Sequence, residues 1–370
     1  MALPIKSAQG RRHFLLAALG SALLASCATG PGRRPAPVVA PKVNRVAVLV
    51  PMTGSDAEVG VALANAARLA LLDSGSKAFE LTLFDTNEGG AGAAAGQAIA
   101  QGHGLILGPL LGEEVRAVAP IARQARVPVI AFSNDVSAAA SGPYILGFTP
   151  SQAIERVVEH AASGGARRFA AVVPASLYGQ RSSQALQVAA QRAGGQVVAV
   201  ETYGRPEDAR AAARRLGQRP YDAVLLADSG RVAALAAPAI RRGARILGTE
   251  LWASSSLGRT PRLRGAIFAA PTQGRWSQFV QRYQARYGGE APPRIASLGY
   301  DAVLLSARAA RTWQPGRRFP LGAIDDPEGF AGVDGIFRFG RDHVAQRAFE
   351  VRTVTASGSS VVSPAPASFP

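Results

Sequence analysis

Apolar residues in this chain occur in short continuous runs that are separated by longer segments of helical character. Residues 45–50 (RVAVLV) and 127–132 (VPVIAF) are such runs, and helices are predicted between them at 59–72, 91–101 and 113–124. Continuous apolar runs rich in β-branched residues are typical of parallel strands that are buried on both faces. Their alternation with helices predicts an α/β fold built on a doubly wound parallel sheet.

The alternation starts again after residue 150. Helices are predicted at 151–162 and 181–193, and the strands that accompany them include 169–174 (FAAVVP) and 222–227 (DAVLLA). Two successive βαβ sets without a long linker predict two Rossmann-like lobes with parallel doubly wound sheets, joined by a hinge.

We assign residues 43–148 plus 271–320 to lobe 1 and residues 149–270 plus 321–356 to lobe 2. Residues 357–370 (SGSSVVSPAPASFP) are low in complexity and are expected to form a disordered tail. Ligands of open α/β sheets bind beyond the carboxyl ends of the strands. The cleft between the two lobes is therefore the expected binding site.

The N-terminal residues 1–26 have the pattern of a secretory signal. Lys6, Arg11 and Arg12 precede an apolar run of 11 residues (FLLAALGSALL), which is too short to span a membrane, since a spanning helix needs roughly 20 residues. Residues 24–27 (LASC) are similar to a bacterial lipobox, so we predict a lipoprotein signal peptide and lipidation of Cys27. An ordinary signal cleaved nearby is the alternative, and export by the Sec or the Tat route stays open.

Residues 27–42 form a Pro-rich segment that is predicted to be an extended tether. Stable anchoring requires more than one acyl chain, and bacterial lipoproteins carry two or three. Ala28 rather than aspartate follows Cys27, which by resemblance favours the outer membrane over the inner. We therefore expect the folded part to be lipid-anchored at the periplasmic face of the outer membrane.

The composition is that of a globular protein, with 48% hydrophobic and 18% charged residues. The formal net charge is +16, but the basic residues are scattered and do not form one run interleaved with aromatic residues. Nucleic acid is therefore not an expected partner, and anionic envelope polymers or lipid headgroups fit better. Cys27 is the single cysteine, which excludes an intrachain disulfide.

Catalysis finds little support in the sequence. His103, His160 and His343 occur in unrelated contexts without metal-ligand spacing, and no nucleophile elbow or phosphate-binding loop is present. We expect a protein that is not an enzyme and that has no metal site and no cofactor.

Several motifs together resemble a known family. Residues 46–54 (VAVLVPMTG), 108–109 (GP), 127–133 (VPVIAFS) and 299–302 (GYDA) are similar in order and spacing to type I periplasmic binding proteins, within the group that binds leucine, isoleucine and valine. The resemblance covers residues 45–354. It implies two Rossmann-like lobes, three crossovers and a ligand held in the cleft.

The resemblance also implies candidate ligand-binding residues. In this family the first lobe holds an amino-acid carboxylate, and an acid on the second lobe holds the ammonium group. The matching positions in this chain are Gly112, Asp135, Ser137, Tyr178, Ser229 and Glu250. Two of them depart from the family pattern, because glycine replaces the usual serine at 112 and Asp135 would place a negative charge beside the ligand carboxylate.

Two functions from different classes remain open. The first is a non-enzymatic envelope lipoprotein that regulates peptidoglycan synthesis as a penicillin-binding protein activator, with a peptidoglycan synthase as its partner. The second is the substrate-binding component of an amino-acid ABC transporter of the branched-chain type, with a small amino-acid-like ligand. In either case we expect a monomer.

Overall fold

The computed structural model describes residues 43–217, 219–253 and 256–369. The predicted signal peptide, the lipidation site Cys27 and the tether at 27–42 lie outside these residues. Within the described ranges, none of the helices combines the length and the apolar character needed to cross a membrane.

Lobe 1 is built on a five-stranded sheet in which all neighbouring strands are parallel, in the order β2-β1-β3-β4-β5. Its strands are β1 (Asn44–Val50), β2 (Phe79–Asp85), β3 (Leu105–Leu107), β4 (Val129–Ala131) and β5 (Tyr144–Ile145). The helices that connect its strands are α1 (Ala57–Ser74), α2 (Ala91–Ala100) and α3 (Gly112–Ala125).

Lobe 2 is built on a seven-stranded sheet in the order β15-β14-β10-β9-β8-β6-β7. Its parallel strands are β6 (Arg168–Pro174), β7 (Gln196–Tyr203), β8 (Ala223–Leu226), β9 (Arg245–Gly248) and β10 (Ile267–Ala270). Its helices are α4 (Pro150–Ser163), α5 (Leu177–Arg192), α6 (Ala209–Arg215) and α7 (Gly230–Ala236). Two antiparallel strands, β14 (Glu350–Thr355) and β15 (Gly358–Ser363), extend one edge of this sheet.

The remaining elements pack on lobe 1. They are helices α8 (Gly274–Tyr287) and α9 (Ala296–Ala309) and a small antiparallel sheet of β11 (Phe330–Gly332), β12 (Gly335–Phe339) and β13 (Ala345–Arg347). The chain therefore crosses between the lobes three times, after β5, after β10 and after β13. This arrangement confirms the predicted fold class of two Rossmann-like lobes joined by a hinge.

Strand β1 explains why the apolar runs are continuous. Val46, Val48 and Val50 are fully buried in the core formed with α1 and α9, while Ala47 and Leu49 are fully buried in a second core with α2 and α3. Alternate side chains of a strand point to opposite faces, and here both faces are covered by helices. A polar residue at any of these positions would lie in an apolar core.

The predicted disordered tail at 357–370 is wrong over Gly358–Ser363. These residues form β15, which pairs with β14 after a two-residue turn that joins Thr355 to Gly358. The pairing provides hydrogen bonds to backbone N–H and C=O groups that would otherwise be unpaired at the edge of β14.

The predicted assignment of residues 321–356 to lobe 2 is also corrected. Phe330, Phe337 and Phe339 of the small sheet lie in the same core as α1 and α9 of lobe 1. Within this segment, β14 joins the sheet of lobe 2. The Gly-rich, irregular sequence of the segment carries no clear two-residue period that would have revealed the short strands.

Candidate functional site

A cleft of about 930 Å³ lies between the lobes, a volume typical of small-molecule sites. Its walls are mostly apolar and come from both lobes. The lining residues are Val59, Leu110, Leu111, Phe132, Asn134, Phe148, Tyr178, Glu250, Leu251, Ala253, Pro271, Gln273, Trp276, Pro292, Arg294 and Ile295. The few polar groups in this set decide what the cleft can bind.

Glu250 supplies a carboxyl group to the lobe 2 wall. It follows β9 and begins the 3₁₀ turn Glu250–Trp252, and its Oε2 atom is buried without a hydrogen-bond partner. Burial raises the pKa of Glu250 to about 7, although hydrogen bonds from its own backbone and from Tyr178 act in the opposite direction. A carboxyl group in this state can donate a proton to a ligand or accept a hydrogen bond from a hydroxyl or amine.

Tyr178 lies beside Glu250. It belongs to the first turn of α5, which begins after the N-cap residue Ser176, and its hydroxyl is 3.1 Å from the hydroxyl of Thr249. Burial, followed by the charge of Glu250, raises the pKa of Tyr178 above its usual range. The phenol is therefore neutral and offers one donor and one acceptor next to the carboxyl group.

Arg294 lines the opposite, lobe 1 side of the cleft, but its charge is already paired. Its Nη2 atom lies 2.6 Å from Oδ1 of the fully buried carboxylate of Asp334 and donates to the Thr272 carbonyl at 2.8 Å. Its guanidinium also lies over the ring of Trp276, 4.9 Å from the ring centroid. This arginine is held by the protein and is not a free partner for a ligand carboxylate.

Asp135 does not line the cleft and instead forms an ion pair between the lobes. Its carboxylate accepts from Arg116 of α3 and from Arg181 of α5, both at 2.6 Å, and from the Ser137 hydroxyl at 2.6 Å. Burial alone would raise the pKa of Asp135, but the bonds from Ser137 and Arg116 and the charge of Arg181 hold it at about 2. Because Asp135 follows β4 of lobe 1 and Arg181 belongs to α5 of lobe 2, the Asp135–Arg181 pair links the two lobes. The Arg181 side chain also donates to the backbone carbonyl of Asn134 at 3.3 Å.

Gly112 is required by the position of Asp135. A Cβ atom at residue 112 would lie 2.5 Å from Asp135 Oδ2 and 2.7 Å from Asp135 Cβ, closer than real atoms approach. A serine, which the family resemblance leads one to expect here, has no room while Asp135 keeps this orientation. The two departures from the family pattern are therefore one coupled change.

The six predicted site residues thus fall into three places. Tyr178 and Glu250 line the cleft, whereas Gly112, Asp135 and Ser137 cluster at the start of α3 without lining it. Ser229 is the N-cap residue of α7, where its backbone N–H donates to the Asp228 carboxylate, and it belongs to neither group.

Sequence reasoning missed Arg181 and Arg294. Arg181 could have been noticed because it lies three residues after Tyr178 on one helix, and residues at that spacing share a helix face. Arg294 precedes α9 in a Pro-rich loop and gives no comparable signal. No group of three or more His, Cys, Asp or Glu side chains suited to a metal ion occurs among residues 43–217, 219–253 and 256–369.

Comparison with known proteins identifies relatives. The chain is 28% identical over 169 residues to the penicillin-binding protein activator LpoA of Photobacterium profundum, an alignment that covers 44% of this chain and 27% of that protein. The alignment thus spans about a quarter of that relative's length.

Two solved structures have the same fold. A structure assigned to a branched-chain amino-acid ABC transporter of Rhodospirillum rubrum gives a TM-score of 0.74 at 21% identity and covers 86% of this chain and 100% of that one. The C-domain of LpoA from Haemophilus influenzae, described as a regulator of PBP1A, gives a TM-score of 0.68 at 18% identity with the same coverage. At these identities the likeness establishes the fold alone.

The family model for periplasmic binding proteins matches residues 44–359, which include nearly all the elements described above. This match agrees with the two lobes, the three crossovers and the cleft between the lobes, and it confirms the resemblance found in the sequence motifs. The chain belongs to the periplasmic binding protein family.

Proposed function

We propose that this chain is a non-enzymatic envelope lipoprotein that regulates peptidoglycan synthesis as a penicillin-binding protein activator. Its relative in Photobacterium profundum carries that name, and the Haemophilus influenzae C-domain with the same fold is described as a regulator of PBP1A. In this proposal Cys27 carries the lipid anchor, and the folded part works at the periplasmic face of the outer membrane.

The observation that carries the proposal is the Asp135–Arg181 ion pair. A capture protein closes because its ligand contacts both lobes and shifts the hinge equilibrium toward the closed form. In this chain two side chains of the protein already make a contact between the lobes at 2.6 Å. In this proposal the pair helps the lobes keep their arrangement without a ligand, which suits a protein that presents a constant surface.

Exposed leucines near the cleft give that surface an apolar character. Leu111 of lobe 1 and Leu251 of lobe 2 line the cleft and are 36% and 40% exposed, and Leu177, next to Tyr178, is 59% exposed. Exposed apolar patches mark protein contact sites.

The test is co-purification with peptidoglycan synthases from an envelope extract, followed by affinity measurement with the recovered synthase. We expect Leu251→Ser, which changes a cleft-lining leucine that is 40% exposed, to weaken binding about tenfold, or about 1.4 kcal/mol. Leu235→Ser is the matched control, because Leu235 is similarly exposed on α7 and does not line the cleft. If no synthase is recovered, or if both variants bind like the wild type, the proposal fails at this surface.

The alternative function, ligand capture for an amino-acid ABC transporter, is favoured by one observation. The unpartnered carboxyl oxygen of Glu250 lies at a cleft of small-molecule size. Calorimetry with the common amino acids separates the two functions. Submillimolar binding that is lost in Glu250→Ala supports capture, whereas no binding across the set removes it.

A further inference from the structure

A second cavity, of about 390 Å³, lies on lobe 1 and shares no lining residue with the cleft. It is an open depression bordered by the end of α3, the segment that leads into β5, and the loops around residues 318–321 and 343. Its lining residues are Ala119, Ala122, Arg123, Arg126, Val127, Pro128, Val129, Ser141, Gly142, Pro143, Tyr144, Arg318, Phe319, Leu321 and His343. We refer to it as the α3 cavity.

The floor of the α3 cavity is apolar. Ala122, Val129, Tyr144 and Phe319 are buried, with no more than 5% of each residue exposed. The Tyr144 ring stacks on the imidazole of His343 at a centroid distance of 4.4 Å. The Tyr144 hydroxyl donates to Asp325 at 2.9 Å and is therefore already paired. Tyr144 thus contributes its ring, and not its hydroxyl, to the wall of the cavity. The cavity can therefore accept an apolar group.

The rim of the α3 cavity is cationic. Arg123, Arg126 and Arg318 are exposed, and none of the described lining residues is an acid. Among the described residues, the Arg126 and Arg318 side chains make no hydrogen bond or ion pair, and Arg123 makes a single long contact of 3.4 Å to the Ser141 carbonyl. These guanidinium groups remain available to a negatively charged partner.

The backbone conformation at Arg126 is consistent with a functional site at this position. Arg126 ends α3 with φ of 58°, in the left-handed region where glycine is the usual residue. His343 has φ of 60°, and in the described ranges these two are the non-glycine residues with positive φ. Both line the α3 cavity. Strained backbone of this kind clusters at functional sites such as ligand-binding sites.

We propose that the α3 cavity binds a small anion with an apolar body, with a carboxylate or phosphate group at the arginines and a ring or short acyl chain against Tyr144 and Phe319. Arginine pairs with both kinds of anion through two parallel hydrogen bonds. The floor buries the apolar part. This site is independent of the cleft and of the proposed regulation of peptidoglycan synthesis.

The test is calorimetric titration of the purified full chain with three probes of the same shape: 4-ethylbenzoate, the neutral 4-ethylbenzamide and the cationic 4-ethylbenzylamine. We expect binding of the benzoate, at least tenfold weaker binding of the amide, and no binding of the amine. Equal binding of the benzoate and the amide, or no benzoate binding at all, overturns the proposal.

Variants of the lining residues test whether the benzoate binds in the α3 cavity. Arg126→Gly and Arg318→Gln should each weaken benzoate binding about tenfold, while Arg126→Gly raises the thermal midpoint because glycine relieves the left-handed backbone. Arg210→Gln changes an exposed arginine of α6, and Glu250→Gln changes the cleft; both should bind like the wild type. Loss of affinity in the Glu250 variant alone moves the binding to the cleft and overturns the assignment.

A last measurement identifies the source of the anion. Vesicles of phosphatidylglycerol are sedimented with the full chain in the presence and absence of 4-ethylbenzoate, with phosphatidylcholine vesicles as the background. Retention that depends on phosphatidylglycerol, on Arg126 and on the absence of benzoate indicates an anionic lipid headgroup. Benzoate binding in calorimetry without such retention indicates a soluble anion.

Discussion

Replacing Glu250 by glutamine changes the pH dependence of stability by an amount that follows from the burial of its carboxyl group. In the folded chain the pKa of Glu250 is raised to about 7, chiefly by burial, from the ordinary value of 4.5. The folded state therefore keeps a proton between pH 4.5 and 7 that the unfolded state has released. Unfolding releases this proton, so the free energy of unfolding falls as pH rises through that window.

The size of the effect is about 3 kcal/mol, since each unit of pKa difference corresponds to about 1.4 kcal/mol. Glutamine has the same shape and does not titrate. The free energy of unfolding of Glu250→Gln should therefore fall by about 3 kcal/mol less than that of the wild type between pH 4.5 and 7.5. Asp301, whose pKa burial also raises to about 7, contributes a similar decrease in both proteins.

The assay is urea unfolding followed by circular dichroism at half-unit steps from pH 4.5 to 8. Glu80→Gln serves as the control, because Glu80 is an exposed carboxyl on β2, and its profile should follow that of the wild type. If Glu250→Gln also follows the wild type, the carboxyl group is hydrated in the folded state. The inference that Glu250 is buried in an apolar part of the cleft would then be incorrect.

Three further results are expected. Gly112→Ala should lower the free energy of unfolding by about 1–3 kcal/mol by overpacking, and it should cost much less in an Asp135→Gly background, which removes the Cβ atom 2.7 Å away; urea unfolding of the two single variants and the double variant measures the difference. Arg181→Gln should increase the radius of gyration in small-angle X-ray scattering, because it breaks the ion pair between the lobes, whereas Arg116→Gln, which removes a contact within lobe 1, should not. Cys27→Ser should leave thermal unfolding of the folded part unchanged but release the chain from sedimented membranes; a variant that still sediments contradicts the lipid anchor.

Much of the fold could be predicted because buried parallel strands have a simple signature. Strand β1 is apolar at successive positions since both of its faces are covered, and this pattern is visible without any knowledge of the partners. Strand β15 has no such signature. It is largely exposed, and half of its residues are serine; it forms because β14 offers a free edge after a two-residue turn.

The candidate site was only partly predictable for a related reason. Tyr178 and Glu250 occur at positions where the family resemblance places cleft residues, and both line the cleft. The partners of Asp135 could not be predicted in the same way, because Arg181 is 46 residues away and belongs to the other lobe. An ion pair of this kind depends on the angle between the lobes, which no local pattern of residues encodes.

Two arginine side chains donate hydrogen bonds to backbone carbonyls at the crossovers between the lobes. Arg294 lines the cleft and donates to the Thr272 carbonyl at the crossover after β10, while the buried Arg347 donates to the Leu146 carbonyl at the crossover after β5. A hydrogen bond to a charged group contributes about 1.5–3 kcal/mol, so a change of backbone conformation at either crossover that breaks its bond is unfavourable. A capture protein needs crossovers that change conformation readily, whereas in this chain two of the three are each hydrogen-bonded to an arginine, the partly buried Arg294 and the buried Arg347. The hinge therefore favours the same function as the Asp135–Arg181 pair, in which the two lobes present a stable surface to a partner protein.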